Sequence, residues 1–207
     1  MIDLYTWGTP NGRKVSIMLE EVELPYTTHE INIGKGEQRT PEFLAINPNN
    51  KIPAIVDSDG PGGKPLTLIE SGAILFYLAE KTGKLFSTEP LERHHTMEWL
   101  MFQMGNLGPA LGQNHHFRGL DEEVPYGTER FAKETARLYG VLDQHLGKHE
   151  YLSGFGYSIA DIATFPWIAR HPRHKTNLAD YPHVLRWYEQ VGARPAVVKG
   201  MAVPFLN

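Results

Sequence analysis

Two short segments carry side chains suited to opposite charges on a small molecule. Thr9 and Asn11 offer a hydroxyl and an amide beside a predicted helix start, where backbone N–H groups and the helix dipole favour an anion. Glu70 suits an ammonium group, and Ser71, at a second predicted helix start, suits a carboxylate. The pattern predicts an anion site and a site for an amino-acid head group. Each segment taken alone is also compatible with an ordinary helix cap.

A third segment, residues 49–53, ends in Ile52 and Pro53 directly before a predicted strand. A cis bond before Pro53 would turn the Ile52 backbone outward, where its N–H and C=O could pair with an extended peptide. A trans bond at an ordinary strand start is the commoner alternative. The three segments would form one ligand site if the strands beside them share one sheet.

Other chemistries lack their motifs in this sequence. No Gly-x-Gly-x-x-Gly or Gly-Lys-Ser/Thr motif is present, so we predict no nucleotide cofactor. There is no cysteine, which excludes structural disulfides, iron–sulfur ligation and Cys-x-x-Cys redox motifs. The pairs His145/His149 and His171/His174 have helical spacing, but no carboxylate is spaced with them as a zinc motif requires. We therefore predict no metal cofactor and expect solvated or capping histidines.

Four predicted strands and three predicted helices position these segments in the first 85 residues. Strand-like runs cover residues 2–7, 27–33, 53–56 and 66–69. Helical patterns lie between Pro10 and Pro25, over residues 42–46, and over residues 71–82 with Ser71 as the cap. The order β-α-β-α-β-β-α predicts a mixed four-stranded sheet with the three segments at one end.

The second part of the chain has almost no strand signal and several helical stripes. We assign residues 1–85 to a mixed α/β domain and residues 88–207 to an all-α domain. Ser158 and Asp161 have the spacing of a capping box in its Asp form, which predicts a helix start that is stabilised locally.

Composition limits the partners of the protein. The chain has 207 residues, of which 20 are basic and 24 acidic, with a formal net charge of −4. A mildly acidic protein with mixed charges has no electrostatic reason to bind nucleic acid or an anionic membrane. No apolar run reaches about 18 residues, and the N-terminus has no secretory pattern. We expect a soluble, cytoplasmic protein.

The segments above, with several others, resemble the glutathione transferase superfamily along essentially the whole chain. The segments similar to the superfamily are residues 50–53, 70–74, 157–161 and 194–196. The segments most similar to its bacterial Nu class, close to the Ure2-like proteins, are residues 9–12, 34–36, 80–83 and 112–117. The resemblance implies a thioredoxin-like N-terminal domain, followed by a helical C-terminal domain that contributes the acceptor site and dimer contacts.

The resemblance also implies roles for individual residues. Thr9 and Asn11 would hold the sulfur of glutathione. The remainder of the tripeptide would be bound by Gln38, Lys51, Ile52, a cis Pro53, Glu70 and Ser71. Arg130 would reach a glutathione bound to the neighbouring subunit of a homodimer.

By the same resemblance, the activity would be glutathione-dependent reduction of small disulfides, with weak conjugation and peroxidase activity and glutathione as co-substrate. Tyr5 lies early in the first strand and Ser16 lies inside the first helix, so we expect neither to activate the thiol. One alternative is a non-catalytic glutathione-binding or interaction protein on the same fold. Another is conjugation of an apolar electrophile, in which Met97, Met101 and Met104 would line an acceptor pocket with Trp7. For the three methionines we favour a helix core, since methionine fills cores.

Overall fold

The computed structural model describes residues 1–204, which form two compact units. Unit 1 comprises Met1–Lys84 and the segment from Arg194 onward, and unit 2 comprises Leu85–Ala193. The sequence prediction placed all of residues 88–207 in the second domain, so the two divisions differ at the C-terminal end. Within residues 1–204, no helix has the length and apolar character needed to cross a membrane.

Unit 1 is built on a mixed four-stranded sheet. Its strands are β1 (Ile2–Thr6), β2 (Tyr26–Glu30), β3 (Ala54–Asp57) and β4 (Leu66–Ile69). The strand order across the sheet is β2-β1-β3-β4. Strand β1 runs parallel to β2 and antiparallel to β3, and β3 runs antiparallel to β4. The predicted architecture of this domain is confirmed.

Three helices follow the strands of unit 1 in the predicted order. They are α1 (Pro10–Val22), α2 (Pro41–Ile46) and α3 (Ser71–Thr82). The predicted apolar stripe of α1 is buried at Val15, Met18 and Leu19, because an amphipathic helix places residues three and four apart on one face. Helix α1 packs against α3.

Strand β2 is shorter than the sequence pattern predicts, ending at Glu30 instead of residue 33. The chain turns because the Asn32 side chain accepts hydrogen bonds from the backbone N–H groups of Gly34 and Lys35, at 3.0 and 3.2 Å. The Glu37 carboxylate accepts the Asn32 N–H at 2.7 Å. Such local bonds compete with a strand ladder, and the turn leads into a short 3₁₀ helix at Glu37–Arg39.

Unit 2 is all-α within the described residues, as predicted. Its helices are α4 (Pro90–Phe102), α5 (Gly108–Arg118), α6 (Pro125–Leu146), α7 (Ile159–Ile168) and α8 (Pro182–Gly192), with a π-helical turn at Gln103–Leu107 between α4 and α5. The capping box is present at the start of α7, where the Asp161 carboxylate accepts the Ser158 N–H at 3.0 Å. Asp161 also accepts the Leu152 N–H at 3.0 Å and the Trp187 indole N–H at 2.8 Å. One buried carboxylate therefore joins the helix start, the preceding loop and α8.

The last helix, α9 (Pro195–Ala202), packs against α1 and belongs to unit 1. The Ser16 hydroxyl donates a hydrogen bond of 2.7 Å to the carbonyl of Gly200. Arg194 donates two hydrogen bonds, of 2.7 and 2.9 Å, to the Glu21 carboxylate. A helical pattern does not reveal which neighbour a helix packs against, so the sequence prediction placed α9 with the other C-terminal helices.

Two side-chain expectations for unit 2 are wrong. His174 is not solvated, because its side chain is buried and its Nδ1 lies 2.8 Å from the Tyr139 hydroxyl. Met101 does not belong to a helix core, since 51% of its surface is exposed. Helical spacing identifies residues on one face, but it does not identify what covers that face.

Candidate functional site

The register of the sheet brings three of the predicted segments to one end. Tyr5 of β1 pairs with Ala54 of β3, and Ala54 pairs with Ile69 of β4. Strand β1 runs on from Tyr5 toward Thr9 and Asn11, and β4 runs on from Ile69 into residues 70–71. Strand β3 has the opposite direction, so residues 51–53 enter the sheet at the same end.

The loop after β2 emerges at this end as well, because Thr6 pairs with Glu30 at the last residue of each strand. Gln38 lies in the short helix that follows this loop. Neighbouring strands lie about 4.8 Å apart, so the loops of β1 and β4 are separated by roughly 10 Å. An extended tripeptide has a length of roughly 10 Å, which matches this spacing.

The start of α1 forms as the sequence predicts. Thr9 is the N-cap, and its hydroxyl accepts the Gly12 N–H at 3.2 Å, with Pro10 in the first turn. A hydroxyl has one donor proton as well as acceptor lone pairs, so Thr9 can donate to an anion while it caps the helix. Asn11 follows within the first turn, where the helix dipole favours a negative charge.

Gly12 permits α1 to begin directly against the end of β1. A Cβ atom at this position would lie 2.4 Å from the Thr6 hydroxyl oxygen and 2.4 Å from the Trp7 carbonyl oxygen. These distances are too short for any side chain. The absence of a side chain at Gly12 is therefore what places Thr9 and Asn11 at the sheet end.

The loop before β3 is held by Asn47, whose side chain is buried. Its amide donates a hydrogen bond of 2.6 Å to the Lys51 carbonyl and accepts the Asn49 N–H at 2.9 Å. The Ile52–Pro53 bond is cis, as the family resemblance implied and in contrast to the commoner trans form. Ile52 precedes the first paired residue of β3, so its backbone lies beyond the strand ladder.

The turn from β4 into α3 differs from the predicted cap. Glu70 is the N-cap, with a φ of 69°, and no side-chain capping bond is formed there. A positive φ is uncommon for a residue other than glycine, and such backbone strain clusters at functional sites. Ser71 is the first residue of α3 and not its cap. The Ser71 hydroxyl instead contacts a side chain of α1.

That contact is with Lys14, a residue that the sequence analysis missed. The Lys14 side chain is 1% exposed, and its Nζ lies 3.5 Å from the Ser71 hydroxyl oxygen. Burial lowers the pKa of Lys14 to about 7, although the nearby Glu70 carboxylate opposes this shift. The sequence contained one indication that Lys14 is buried. Lys14 lies four residues before Met18, which places it on the apolar face of α1.

Two buried polar atoms of unit 1 have no hydrogen-bond partner among the described residues. They are Oε1 of Gln38, a predicted glutathione contact, and Nε of Arg13. Burial also lowers the pKa of Arg13. Unsatisfied buried polar atoms are rare in folded proteins and need an explanation such as a ligand or water. Arg13 follows Asn11 in α1 and was not predicted as a site residue.

Arg130 belongs to unit 2, unlike the eight other predicted site residues. It lies in α6, where its guanidinium donates a 3.4 Å hydrogen bond to the Tyr126 hydroxyl. It lines a surface groove of about 600 Å³ together with Lys133 and Arg137. Lys133 pairs with Glu129 and Arg137 pairs with Glu134. The groove of unit 2 therefore carries both charges, and two of its three cations are in ion pairs.

Tyr5 and Ser16 have structural contacts. The Tyr5 ring stacks on His29 of β2 with 4.6 Å between ring centroids, and burial followed by the Asp3 charge raises the pKa of its hydroxyl. The Ser16 hydroxyl donates to the Gly200 carbonyl. Within residues 1–204, no group of three or more His, Asp or Glu side chains could hold a metal ion.

Two protein-family models match the chain, one in its N-terminal part and one in its C-terminal part. The family described as "Glutathione S-transferase, N-terminal domain" matches residues 9–81, and "Glutathione S-transferase, C-terminal domain" matches residues 128–195. The chain is also 54% identical over 198 residues to disulfide-bond oxidoreductase YfcG of Escherichia coli (strain K12), covering 95% of this chain and 92% of the relative. The chain belongs to the glutathione transferase family. Its two-part fold is the fold of this family.

Solved structures of other glutathione transferases are similar to this one over nearly its whole length. A family member from Pseudomonas fluorescens pf-5, with two glutathione molecules bound, has a TM-score of 0.92 and 48% identity and covers 97% of this chain and 92% of its own. A glutathione transferase from Pseudomonas putida, with one glutathione disulfide bound per subunit, has a TM-score of 0.94 and 45% identity. The match covers 98% of this chain and 91% of the Pseudomonas putida chain. The fold class predicted from the sequence is therefore confirmed.

Proposed function

We propose that this glutathione transferase reduces small disulfides with glutathione, with weak conjugation and peroxidase activity. The observation that carries the proposal is the start of α1, where Thr9 and Asn11 supply donors at a helix N-terminus in a chain without cysteine. The similarity to the oxidoreductase YfcG and to transferases that bind glutathione or its disulfide supports the same reaction.

The donors at this helix start can stabilise a thiolate without a general base. A thiol with a pKa of about 8.5 is roughly 3% ionised at pH 7. Lowering that pKa by about two units requires roughly 2.7 kcal/mol. Each hydrogen bond to a charged group contributes about 1.5–3 kcal/mol, so Thr9 and Asn11 together suffice. The dipole of α1 acts in the same direction.

The reaction then proceeds in two thiol–disulfide exchanges. The first glutathione thiolate attacks one sulfur of the substrate disulfide, forming a mixed disulfide and releasing the other half as a thiolate. A second glutathione thiolate attacks the glutathione sulfur of the mixed disulfide and releases the remaining half. Two glutathione protons end on the two released thiols, and the product is glutathione disulfide. Since the chain has no cysteine, every sulfur in these steps comes from glutathione or the substrate.

The other segments at the sheet end fit the remainder of glutathione. Glu70 would bind the γ-glutamyl ammonium, and Ser71 at the start of α3 would bind its carboxylate. The Ile52 backbone beside Pro53 would pair with the extended peptide. Lys51 and Gln38 would complete the contacts, and the unsatisfied Oε1 of Gln38 would gain a partner.

We propose a homodimer in which Arg130 reaches glutathione on the neighbouring subunit. Arg130 is exposed on α6, and its groove carries further cationic side chains. A cytoplasmic location follows from the same proposal, since the reaction consumes reduced glutathione.

The test compares two substrates in the presence of glutathione, hydroxyethyl disulfide and 1-chloro-2,4-dinitrobenzene. We expect efficient turnover of the disulfide and slow turnover of the aryl halide. Fast turnover of the aryl halide alone would favour conjugation. Tight glutathione binding without turnover of either substrate would favour a non-catalytic binding protein.

A further inference from the structure

Lys14 is a buried lysine that the proposed mechanism does not use. Its side chain is 1% exposed inside unit 1. Lysine is almost never fully buried unless it is paired, because removing an ammonium group from water is costly. A buried lysine adjoining a ligand site therefore requires a functional or structural reason.

Its position connects it to the head-group end of the site. Helix α1 packs against α3, and the Lys14 ammonium lies 3.5 Å from the hydroxyl oxygen of Ser71, the first residue of α3. Ser71 is itself 4% exposed. The Glu70 carboxylate is the acidic group whose charge acts on Lys14.

The hydrogen-bonding chemistry of these groups determines the direction of the bond. An ammonium group has three donor protons and no acceptor, whereas a hydroxyl can do both. While Lys14 carries its proton, the Ser71 oxygen must accept from it, and the Ser71 proton is then directed away from the ammonium as a donor. A ligand carboxylate nearby favours this charged form of Lys14, because an opposite charge raises the pKa of a lysine. A hydroxyl oriented in this way suits a carboxylate at the start of α3, and the buried positive charge adds to the attraction.

We propose that Lys14 is a positioning residue for carboxylate recognition: it orients the Ser71 hydroxyl and supplies the positive charge behind the α-carboxylate of the γ-glutamyl group. This inference rests on the proposed binding of glutathione. Glu70 then has two functions, because it faces the ligand ammonium and it also balances the charge of Lys14.

The test measures the affinity of the full-length protein for two peptides by isothermal titration calorimetry. One is glutathione, and the other is 4-aminobutyryl-cysteinyl-glycine, which lacks only the α-carboxylate of the γ-glutamyl group. We expect Lys14→Met to weaken glutathione binding by about tenfold or more and to leave binding of the analogue within about twofold. Ser71→Ala should give the same pattern. The double variant should lose less affinity for glutathione than the product of the two single fold-losses, because the two residues act together.

Lys84→Met is the matched control, because Lys84 lies in the same unit with a side chain that is 50% exposed. We expect it to bind both peptides as the wild type does. Circular dichroism and urea unfolding of each variant measure whether the fold is retained.

A second variant covers the case in which Lys14→Met does not fold. Because the chain has no cysteine, Lys14→Cys can be alkylated at a single position while unfolded and then refolded. Aminoethylation restores an ammonium group, whereas propylation gives a neutral side chain of similar length. We expect the aminoethylated protein alone to distinguish glutathione from the analogue.

Each result that contradicts the proposals identifies which one fails. Wild-type protein that binds no glutathione would overturn the proposed function. Wild-type protein that binds both peptides equally would overturn the carboxylate recognition assigned to Lys14 and Ser71, and it would leave glutathione-dependent disulfide reduction standing. The same conclusion would follow if the Lys14 variants lost affinity for both peptides to the same extent, or if the two alkylated proteins bound glutathione equally well.

Discussion

Thr9 and Asn11 have different structural roles at the start of α1. Thr9 caps the helix through the Gly12 N–H, so its replacement by alanine would lower both stability and activity, with a stability loss of about 1 kcal/mol. Asn11 is not the cap, so changes there report on the thiol more directly. This difference makes Asn11 the better position at which to test thiolate stabilisation.

Asn11→Ala and Asn11→Asp should both raise the pKa of enzyme-bound glutathione. Alanine removes a donor, and aspartate keeps the size of the side chain but places a negative charge near the thiolate. We expect the shift to be larger for aspartate, with at least about tenfold lower turnover at pH 7. Thiolate absorbance against pH measures the shift. Gln144→Ala, at an exposed position of α6, is the control, and an unchanged pH profile in both Asn11 variants would contradict the assignment.

His174 is a buried histidine whose titration should make the protein sensitive to acid. Burial, followed by the charges of neighbouring histidines and arginines, lowers its pKa to about 3. The unfolded chain takes up this proton near pH 6.5, but the folded chain does not. Stability is therefore complete above about pH 6.5 and is lost as the pH falls toward 3, by up to about 1.4 kcal/mol per pH unit.

Replacing His174 by asparagine should remove this part of the acid sensitivity. Asparagine can still accept a bond from Tyr139, but it does not titrate. We expect lower stability at pH 7.5, because the smaller side chain leaves a cavity, and a shallower loss of stability between pH 6 and pH 4.5. Urea unfolding at several pH values gives the slope of the free energy of unfolding against pH for the wild type and for the variant. Parallel slopes in the two proteins would show that His174 does not contribute.

Among the elements, the crossing of α1 and α9 determines the composition of unit 1. A Cβ atom at Gly200 would lie 2.5 Å from the backbone of Ile17. The two helices therefore approach closely only because residue 200 is glycine. Ser16 and Arg194 add hydrogen bonds beside this crossing.

Gly200→Ala should therefore destabilise the protein by about 1–3 kcal/mol, since overpacking forces the two helices apart. Gly140→Ala is the matched control, because nothing lies within 4 Å of a Cβ atom at Gly140 in α6. We expect this control to leave stability unchanged or to raise it by up to about 1 kcal/mol, through helix propensity. Chemical unfolding of both variants distinguishes close packing from a general effect of alanine. Equal stability of both variants would contradict the packing argument.

For the whole molecule, the homodimer proposal predicts complementation between two impaired variants. Arg130→Ala lacks the contact given to the neighbouring subunit, and Asn11→Ala lacks the donor in its own site. In a mixed dimer, one site would have an intact Asn11 from one subunit and an intact Arg130 from the other. Random mixing should therefore restore about one quarter of the sites.

The measurement is disulfide turnover after the two variants are unfolded together and refolded, at glutathione concentrations where each variant alone is slow. The control is a mixture of the two variants refolded separately, in which no subunit exchange is expected at first. Activity that equals the mean of the two variants after joint refolding would place Arg130 outside the neighbouring site. A monomer in sedimentation experiments would lead to the same conclusion.

Local sequence patterns were sufficient to predict those features whose contacts are made between neighbours in the sequence. The four strands, the Thr9 cap and the Asp161 capping box all depend on residues a few positions apart. The order of the elements, β-α-β-α-β-β-α, was predicted from local patterns, whereas the order of the strands across the sheet was learned from the structure. The division into an α/β part and a helical part also followed from periodicity.

Tertiary structure decided the features that depend on residues far apart in the chain. Ser71 binds Lys14 across 57 positions, and α9 reaches α1 across 184. Burial of Lys14 and His174 follows from what packs around them. The sequence alone thus established the family-like loops and their chemistry, because short-range spacing encodes caps, strands and turns. The folded chain decided which charged side chains are buried beside the proposed ligand contacts, since burial depends on packing between distant segments.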